Sequence, residues 1–346
     1  MVKLSFKNIN FSYNPENIVF DQMNLDVQPT NDKGHVMTLM GGSGSGKTTF
    51  LKLLVGMLKP QTGTIQLDPD HLIFSYVPQE SVLFEHLTPM QNAEYFKHAS
   101  KNKNRFDSKL FSHLTKVLEM DIVLKSGNSV KELSGGQKQR LSLLRALSIK
   151  PEVLLLDEPC TGLDADVKFS FLSNLHELTK ELKLFTIYVT HHIEEASFIG
   201  NSVAFLNRKL KTNTVHTISV QTINEFINKP PSLDALRISS FPKLNILGVE
   251  QKNDHFILSE TPTLYLSLTP DKIEEQSENS ETITFSKFFY NDIYCSYKHI
   301  NSGNKIVFNS KHNNPSDTLN IKFEGPFDVY DESGLYAGTS DKKITG

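Results

Sequence analysis

The stretch HVMTLMGGSGSGKTTFLKLL (His35–Leu54) combines a short apolar run, a glycine-rich loop and a second run of apolar character. Val36 to Met40 is bounded by turn residues, which predicts a buried strand. Gly41 to Thr48 fits the pattern G-x-x-x-x-G-K-[ST], and the strand–loop–helix context favours a phosphate-binding loop over a chance glycine-rich turn. The stretch therefore predicts a nucleotide site on an α/β fold.

A loop of this kind binds phosphates mainly through its backbone, because glycines let successive N–H groups approach the ligand. Lys47 can then reach the β- and γ-phosphates, and the Thr48 hydroxyl can bind Mg²⁺. The candidate ATP-binding residues of the loop are Gly42, Ser43, Gly44, Ser45, Gly46, Lys47, Thr48 and Thr49.

A second segment, PEVLLLDEPCTGLD, supplies carboxylates. Val153 to Leu156 is a continuous apolar run, as expected of a central parallel strand covered on both faces. Asp157 follows at the end where an open α/β sheet presents its ligands, so it can hold magnesium through water. Glu158 comes next and can orient or deprotonate an attacking water. The alternative, a solvated turn, is disfavoured beside a phosphate loop.

A third segment, KELSGGQKQR (Lys131–Arg140), is a second potential anion site. Its serine and glycines precede a helix-like run from Gln137 to Leu147, and a helix start carries partial positive charge. One chain thus has two phosphate-binding segments about ninety residues apart.

Six motifs occur in the order GGSGSGKTT, YVPQE, LSGGQKQR, LLLDEP, GLD and VTHH. This series resembles the ATP-binding cassette family over residues 1–228. The resemblance implies a P-loop NTPase cassette of α/β class, with a mixed sheet and an inserted helical subdomain at about residues 86–133. Leu110, Leu114, Val117 and Leu118 lie at helical spacing within that insert.

The same resemblance implies a role for each matching residue. Tyr13 would stack on adenine, although a lone aromatic could equally belong to the core. Gln79 would sense the γ-phosphate and Mg²⁺, and His191 would contact the γ-phosphate, although a histidine after a strand is more often structural. Ser134 and Gly136 would bind the ATP of a partner chain, and Asp164 would lie at the dimer seam.

The metal set implied is Thr48, Gln79 and Asp157, and the catalytic set is Glu158, His191, Lys47 and Gln79. Two positions depart from the family pattern: His192 stands where aspartate is common, and Cys160 is unusual in EPCTGLD. Neither is an assigned phosphate ligand.

Composition changes near residue 240. From Phe241 onward the chain has 10 lysines, no arginine and 15 acidic residues, whereas the first 240 residues are slightly basic. Three prolines in INKPPSLDALRISSFPK predict a linker at 229–240. Alternating strands and a hairpin turn at INSGNKIVF predict a small all-β domain at 241–346. LSLTPDKIEE and FDVYDESG resemble the OB-like accessory barrel, or TOBE domain, of binding-protein-dependent importers, although Thr269 replaces the usual arginine; an unrelated β domain is the alternative.

We therefore expect the ATPase subunit of a solute importer, acting as a homodimer with transmembrane permease subunits and, indirectly, an extracytoplasmic solute-binding protein. It would be peripheral, on the cytoplasmic face of the inner membrane, since no apolar run approaches the roughly 20 residues needed to span a bilayer. A net charge of −3 without a basic block argues against a nucleic-acid partner. The alternatives are a soluble non-transport ATPase of the same family acting on nucleic acid or ribosomes, and a P-loop kinase, which would not explain LSGGQ.

Overall fold

The computed structural model describes residues 2–28, 34–80, 82–98, 105–208, 214–239 and, from 245 onward, the strands given below with residue 335. The chain divides into two compact units. The first comprises Met1–Leu206 and Thr214–Asn224, and the second comprises Asn207–Asn213 and Glu225–Gly346. The segment 229–240, expected to be a linker, contains a helix at Leu233–Ser239.

A nine-stranded mixed sheet organises the first unit, in the order β4-β1-β2-β9-β8-β3-β7-β6-β5. The strands are β1 Lys3–Asn14, β2 Asn17–Val27, β3 His35–Met40, β4 Thr62–Asp68, β5 Phe74–Val77, β6 Val153–Asp157, β7 Phe185–Val189, β8 Ser202–Arg208 and β9 Val215–Thr222. Strands β1, β2 and β4 pair antiparallel, whereas β3, β5, β6, β7 and β8 form a parallel block.

The helices are α1 Lys47–Leu54, α2 Pro89–Ala93, α3 Ser108–Val117, α4 Asp121–Lys125, α5 Gly135–Leu147, α6 Ala165–Glu181, α7 Ile193–Ile199, α8 Ile223–Asn228 and α9 Leu233–Ser239. Short 3₁₀ turns occur at Tyr95–His98 and Val130–Glu132. Helices α2, α3 and α4 lie between residues 86 and 133, where the sequence predicts helical structure.

The central strands β3, β6 and β7 are buried along their whole length, which explains their continuous apolar sequences. Successive side chains of a strand point to opposite faces, so each strand supplies two cores. Leu154 and Leu156 belong to one hydrophobic cluster, while Val153 and Leu155 belong to another on the opposite face. Burial on both faces fixes the position of the strand ends, where the polar motifs begin.

Strand register then brings those ends together. Val77 of β5 is opposite Leu156 of β6, Asp157 of β6 is opposite Val189 of β7, and Val189 is opposite Leu39 of β3. The segments that follow these strands therefore leave the same edge of the sheet.

Beyond residue 245, the described strands of the second unit form two sheets. One sheet has the order β19-β18-β12-β10-β11-β20 and the other β13-β17-β14-β15-β16. The first contains β10 Asn245–Lys252, β11 His255–Leu258, β12 Leu264–Leu268, β18 Phe327–Asp331, β19 Tyr336–Ser340 and β20 Lys343–Thr345. The second contains β13 Ile273–Glu275, β14 Ile283–Tyr290, β15 Tyr294–His299, β16 Lys305–Asn309 and β17 Thr318–Phe323.

The described residues beyond 245 include these strands, and the OB-like domain expected at residues 241–346 stays a prediction. Strands β15 and β16 pair antiparallel, as the hairpin prediction requires, and the turn itself lies outside the described residues. Within the described ranges, no helix combines the length and apolar character needed to cross a membrane.

Candidate functional site

The glycine-rich loop joins β3 to α1 through a tight turn. The Ser45 N–H donates to the Gly42 carbonyl at 3.1 Å, and the Phe50 N–H donates to the Gly46 carbonyl at 2.8 Å, which starts the helix. Gly46 has a φ of 92°, and a Cβ there would lie 2.6 Å from Val19 Cγ1. Backbone conformation and space both require glycine at this position.

Lys47 is buried, and its Nζ donates to the carbonyl oxygens of Gly41 at 3.0 Å and Gly42 at 3.1 Å. The ammonium group thus holds the loop closed on itself. In the same loop, the buried Ser45 hydroxyl has no hydrogen-bond partner among the described residues. An unsatisfied hydroxyl beside a lysine and a helix N-terminus fits an anionic ligand such as a phosphate chain.

Asp157 ends β6 opposite this loop and is buried. Its Oδ2 accepts hydrogen bonds from the Thr48 hydroxyl at 2.9 Å and the Tyr76 hydroxyl at 3.2 Å. Burial raises the pKa of Asp157, and the two hydrogen bonds oppose that rise. Thr48 and Asp157 together offer hydroxyl and carboxylate oxygens, which are the donors that Mg²⁺ prefers, so the residues present fit this ion.

Glu158 follows with a φ of 46°, in the left-handed region that residues other than glycine seldom occupy. Its carboxylate contacts side chains from two other segments: Gln79 Nε2 donates to Oε2 at 3.3 Å, and His191 Nδ1 is 3.2 Å from Oε1. The carboxylate and an unusual backbone conformation thus occur at the same residue. Such strain is characteristic of functional positions.

His191 lies on the loop after β7, and 47% of its side chain is exposed. Its ring centroid is 4.1 Å from that of His192, with 38° between the two ring planes. His192, which departs from the family pattern, therefore packs on the histidine expected to contact the γ-phosphate.

Tyr13 is 54% exposed, which rules out the core alternative. Its hydroxyl is 3.0 Å from Thr49 Oγ1, and its ring meets Phe11 edge to face at 5.1 Å. The ring is thereby held on β1 beside the start of α1 while more than half of the residue stays exposed.

Ser134 caps helix α5 by a reciprocal pair of hydrogen bonds. The Gln137 N–H donates to Ser134 Oγ at 3.2 Å, and the Ser134 N–H donates to Gln137 Oε1 at 3.0 Å. Gly136 allows close packing on α6, since a Cβ there would lie 2.6 Å from Val167 Cγ1. Asp164 is the N-cap residue of α6, without a side-chain capping bond.

The structure thus brings Lys47, Thr48, Asp157, Glu158, Gln79 and His191 together at one sheet edge, and it sets Ser134 and Gly136 at the start of a separate helix. Two contacts were missed by sequence reasoning. Tyr76 donates to Asp157, and the Thr161 hydroxyl is 3.5 Å from Glu158 Oε2. Both residues lie within quoted motifs, YVPQE and EPCTGLD, but neither has a residue type that signals its contact.

Comparison with known proteins identifies the family. The family model described as "ABC transporter" matches residues 21–161. A probable sulfate/thiosulfate import ATP-binding protein CysA of Chlorella vulgaris is 33% identical over 218 residues, which cover 60% of this chain and 89% of that protein. The chain belongs to the ABC transporter family.

Other members of the ABC family match over a smaller part of their own length. The Fe(3+) ions import ATP-binding protein FbpC of Photorhabdus laumondii is 32% identical over 222 residues, 61% of each chain. The molybdate/tungstate import ATP-binding protein WtpC of Pyrococcus horikoshii is 30% identical over 231 residues, 64% of each chain. The chain spans about three fifths of the length of these two relatives.

Solved ABC structures share the fold. An inward-facing putative metal-chelate type ABC transporter superposes with a TM-score of 0.55 and 23% identity, covering 78% of this chain and 99% of that chain. CbiO1 from Clostridium perfringens gives a TM-score of 0.54 with 24% identity, covering 65% of this chain and 90% of that chain. These likenesses establish the P-loop ABC ATPase fold of the cassette.

Proposed function

We propose that the chain is an ATP-hydrolysing subunit that powers solute import through partner transmembrane permease subunits. The observation that carries the proposal is the joint contact of Gln79 and His191 with the Glu158 carboxylate, directly after the Asp157–Thr48 pair. This cluster combines a phosphate loop, oxygen donors for a metal and a candidate base at one edge of the sheet. Names of the relatives, which are import ATP-binding proteins, support the transport assignment.

ATP binding would use the loop from Gly42 to Thr49, with adenine stacked on Tyr13. Lys47 would exchange its two carbonyl contacts for phosphate oxygens, and Ser45 would gain the partner that it lacks among the described residues. Mg²⁺, held by Thr48, Gln79 and Asp157, would supply positive charge to the β- and γ-phosphates. Burial raises the pKa of Asp157, and a bound cation would stabilise its ionised carboxylate.

Hydrolysis would depend on Glu158, which lies beyond the metal-binding pair and can accept a proton from a water. Gln79 contacts one oxygen of this carboxylate and His191 contacts the other, so the orientation of Glu158 would depend on both segments. Most of the rate enhancement would come from positioning and from charge stabilisation by Lys47 and His191.

The signature segment would act in trans. Ser134 and Gly136 start helix α5, and their N-terminal backbone groups suit the γ-phosphate of an ATP bound to a partner chain. We infer a head-to-tail homodimer in which each ATP lies between the loop of one chain and the signature of the other, with Asp164 at the seam.

We propose a peripheral location on the cytoplasmic face of the inner membrane, with an extracytoplasmic solute-binding protein as an indirect partner. Residues 241–346 are proposed to form a TOBE-type accessory domain, which the two sheets described beyond residue 245 support. The relatives' names include ferric iron, sulfate and molybdate, so the permease rather than this subunit would select the solute.

Mixed dimers test the shared site. Lys47→Ala and Ser134→Arg are each made in separate chains, and either variant alone should have little ATPase activity, because both of its sites are defective. Mixed dimers contain one site with an intact Lys47 and an intact Ser134, so we expect partial recovery of phosphate release, or nucleotide-dependent crosslinking if both sites must act together. Confirmed mixed dimers showing neither response would contradict the trans arrangement. Recovery of the wild-type subunit with a polytopic membrane protein tests the transport assignment separately.

A further inference from the structure

A buried polar network lies next to His191 and has no role in the proposed ATPase mechanism. Its centre is Glu195 of α7, which is 4% exposed. Oε2 accepts hydrogen bonds from the Thr190 hydroxyl at 2.8 Å and the Tyr188 hydroxyl at 2.9 Å, and Oε1 is 3.0 Å from Lys168 Nζ. Both carboxylate oxygens therefore have partners, as a buried charge requires.

The network continues from Tyr188 to Cys160, whose Sγ is 3.3 Å from the tyrosine oxygen. A phenol has a single hydrogen, and the carboxylate at 2.9 Å is the better acceptor, so Tyr188 donates to Glu195. Burial raises the pKa of the Cys160 thiol to about 12, which keeps its hydrogen available for donation to Tyr188. The polar chain thus runs from the segment after Glu158 to the centre of α7.

Thr190 links this network to the active site through two further contacts. Its hydroxyl accepts a hydrogen bond from the His192 N–H at 3.0 Å while donating to Glu195. Its own N–H donates to the Leu39 carbonyl at 3.3 Å. The residues on both sides of His191 are therefore fixed in place, while the imidazole between them remains partly exposed and contacts Glu158.

Stability alone is a weak reason for this arrangement, since a buried ion pair often contributes no more than apolar residues of equal volume. A hydrophobic residue at position 195 would still pack on β7, but it would leave the Thr190 hydroxyl without an acceptor for its hydrogen and the His191 backbone less constrained. Small displacements of a catalytic group are costly in rate, which gives the polar contacts a functional consequence.

We propose that the Thr190–Glu195 pair is a positioning device for His191, which sets the orientation of the imidazole toward Glu158 and the γ-phosphate. The proposal rests on the ATPase function proposed above. It assigns no contact with ATP to either residue: Thr190 acts through the backbone of His191, and Glu195 acts through Thr190.

The test uses Thr190→Val, which removes the hydroxyl and retains the shape. We expect kcat for ATP to fall on the order of ten- to a hundred-fold, with ATP affinity unchanged, because the phosphate loop is untouched. Thr190→Ser keeps the hydroxyl and should restore most of the rate. Glu195→Gln should lower kcat similarly, and Thr190→Val remains informative if that variant fails to fold.

Thr186→Val is the matched control. Thr186 is fully buried on β7, the strand that ends just before Thr190, and its hydroxyl is 3.3 Å from Thr179 Oγ1. It should lose comparable thermal stability and keep wild-type kcat. A kcat for Thr190→Val equal to that of Thr186→Val would overturn the proposal.

A double-substitution cycle separates positioning from a structural role. In a His191→Ala background, Thr190→Val should have little further effect on kcat, because the group that it positions is gone. Full additivity would refute action through His191. An NMR spectrum of the histidine rings gives a readout without ATPase activity: Thr190→Val should shift the His191 signals and Thr186→Val should not. An unshifted His191 signal in Thr190→Val would refute the inference even if the chain has no ATPase activity. If Thr190→Val shifts the His191 signals but the wild type is inactive, the result would count against the proposed function alone.

Discussion

Replacement of Glu158 by glutamine isolates the charge of the candidate base, because the two side chains have the same length and shape. The carboxylate lies 3.2 Å from His191 Nδ1 and 3.3 Å from Gln79 Nε2. An amide has one oxygen, so it can accept from only one of these neighbours without rotation of the other. Loss of a hydrogen bond of this kind costs about 1 kcal/mol, a small effect on the position of the side chain.

Loss of the base is the larger effect. Proton transfer by a positioned side chain contributes on the order of 10²- to 10⁴-fold to a rate, or roughly 3–5 kcal/mol in the activation free energy. The groups that hold the nucleotide, Lys47, Thr48 and Asp157, are unchanged, and one negative charge near the γ-phosphate is removed. We therefore expect kcat to fall by at least about a hundred-fold with ATP affinity equal to or tighter than that of the wild type.

Phosphate release under saturating Mg-ATP measures kcat, a fluorescent nucleotide measures affinity, and size-exclusion chromatography detects the dimer that unhydrolysed ATP should hold together. Glu194→Gln is the control, since it removes one charge from an exposed residue of α7 near the same loop. A Glu158→Gln enzyme with kcat within about threefold of the wild type would refute the assignment of Glu158, because such a change is below the smallest effect expected of a general base.

Two further substitutions test packing and protonation. Gly136→Ala should lower the free energy of unfolding by about 1–3 kcal/mol, because the added Cβ would meet Val167 Cγ1. A second change, Val167→Ala, should recover part of that loss in thermal melts. An unchanged melting temperature for Gly136→Ala alone would contradict the packing. Burial raises the pKa of the Cys160 thiol from 9.0 to about 12. Between these two pKa values the folded state binds more protons than the unfolded state, so the free energy of unfolding should fall as pH rises from about 9 to about 12. Cys160→Ala should show a shallower fall in denaturant titrations at about pH 9–11, and identical slopes would exclude the thiol as a contributor.

The parts of the site that were predictable from the sequence are those whose geometry is local. In Gly41–Thr48 the strand, turn and helix start within a few residues, so the spacing of the motif fixes the positions of Lys47 and Thr48. The Asp157–Glu158 pair was similarly placed by the apolar run that precedes it. The roles given to Gln79 and His191 remain predictions, although both side chains lie against Glu158.

Contacts that depend on register between strands were not predictable. Tyr76 reaches Asp157 because β5 and β6 run parallel with Tyr76 opposite Leu155, two residues before the aspartate. A tyrosine in YVPQE has no feature that distinguishes a metal-site neighbour from a core residue. Likewise, Cys160 was noted as unusual, but its contact with Tyr188 requires the distance between two segments that only the folded sheet determines.

The adjacent acids Glu194 and Glu195 show the limit of sequence reasoning most directly, because they have the same chemistry and neighbouring numbers. Successive residues of a helix point about 100° apart, so only one of the two can face β7. Glu194 is exposed, whereas Glu195 is buried and binds Thr190, Tyr188 and Lys168. The helix start at Ile193 sets that rotation, and the short connection from β7 sets the helix start. The difference between a solvated charge and a group that can position His191 is therefore determined by tertiary structure, and the Thr190→Val and Thr186→Val pair measures it.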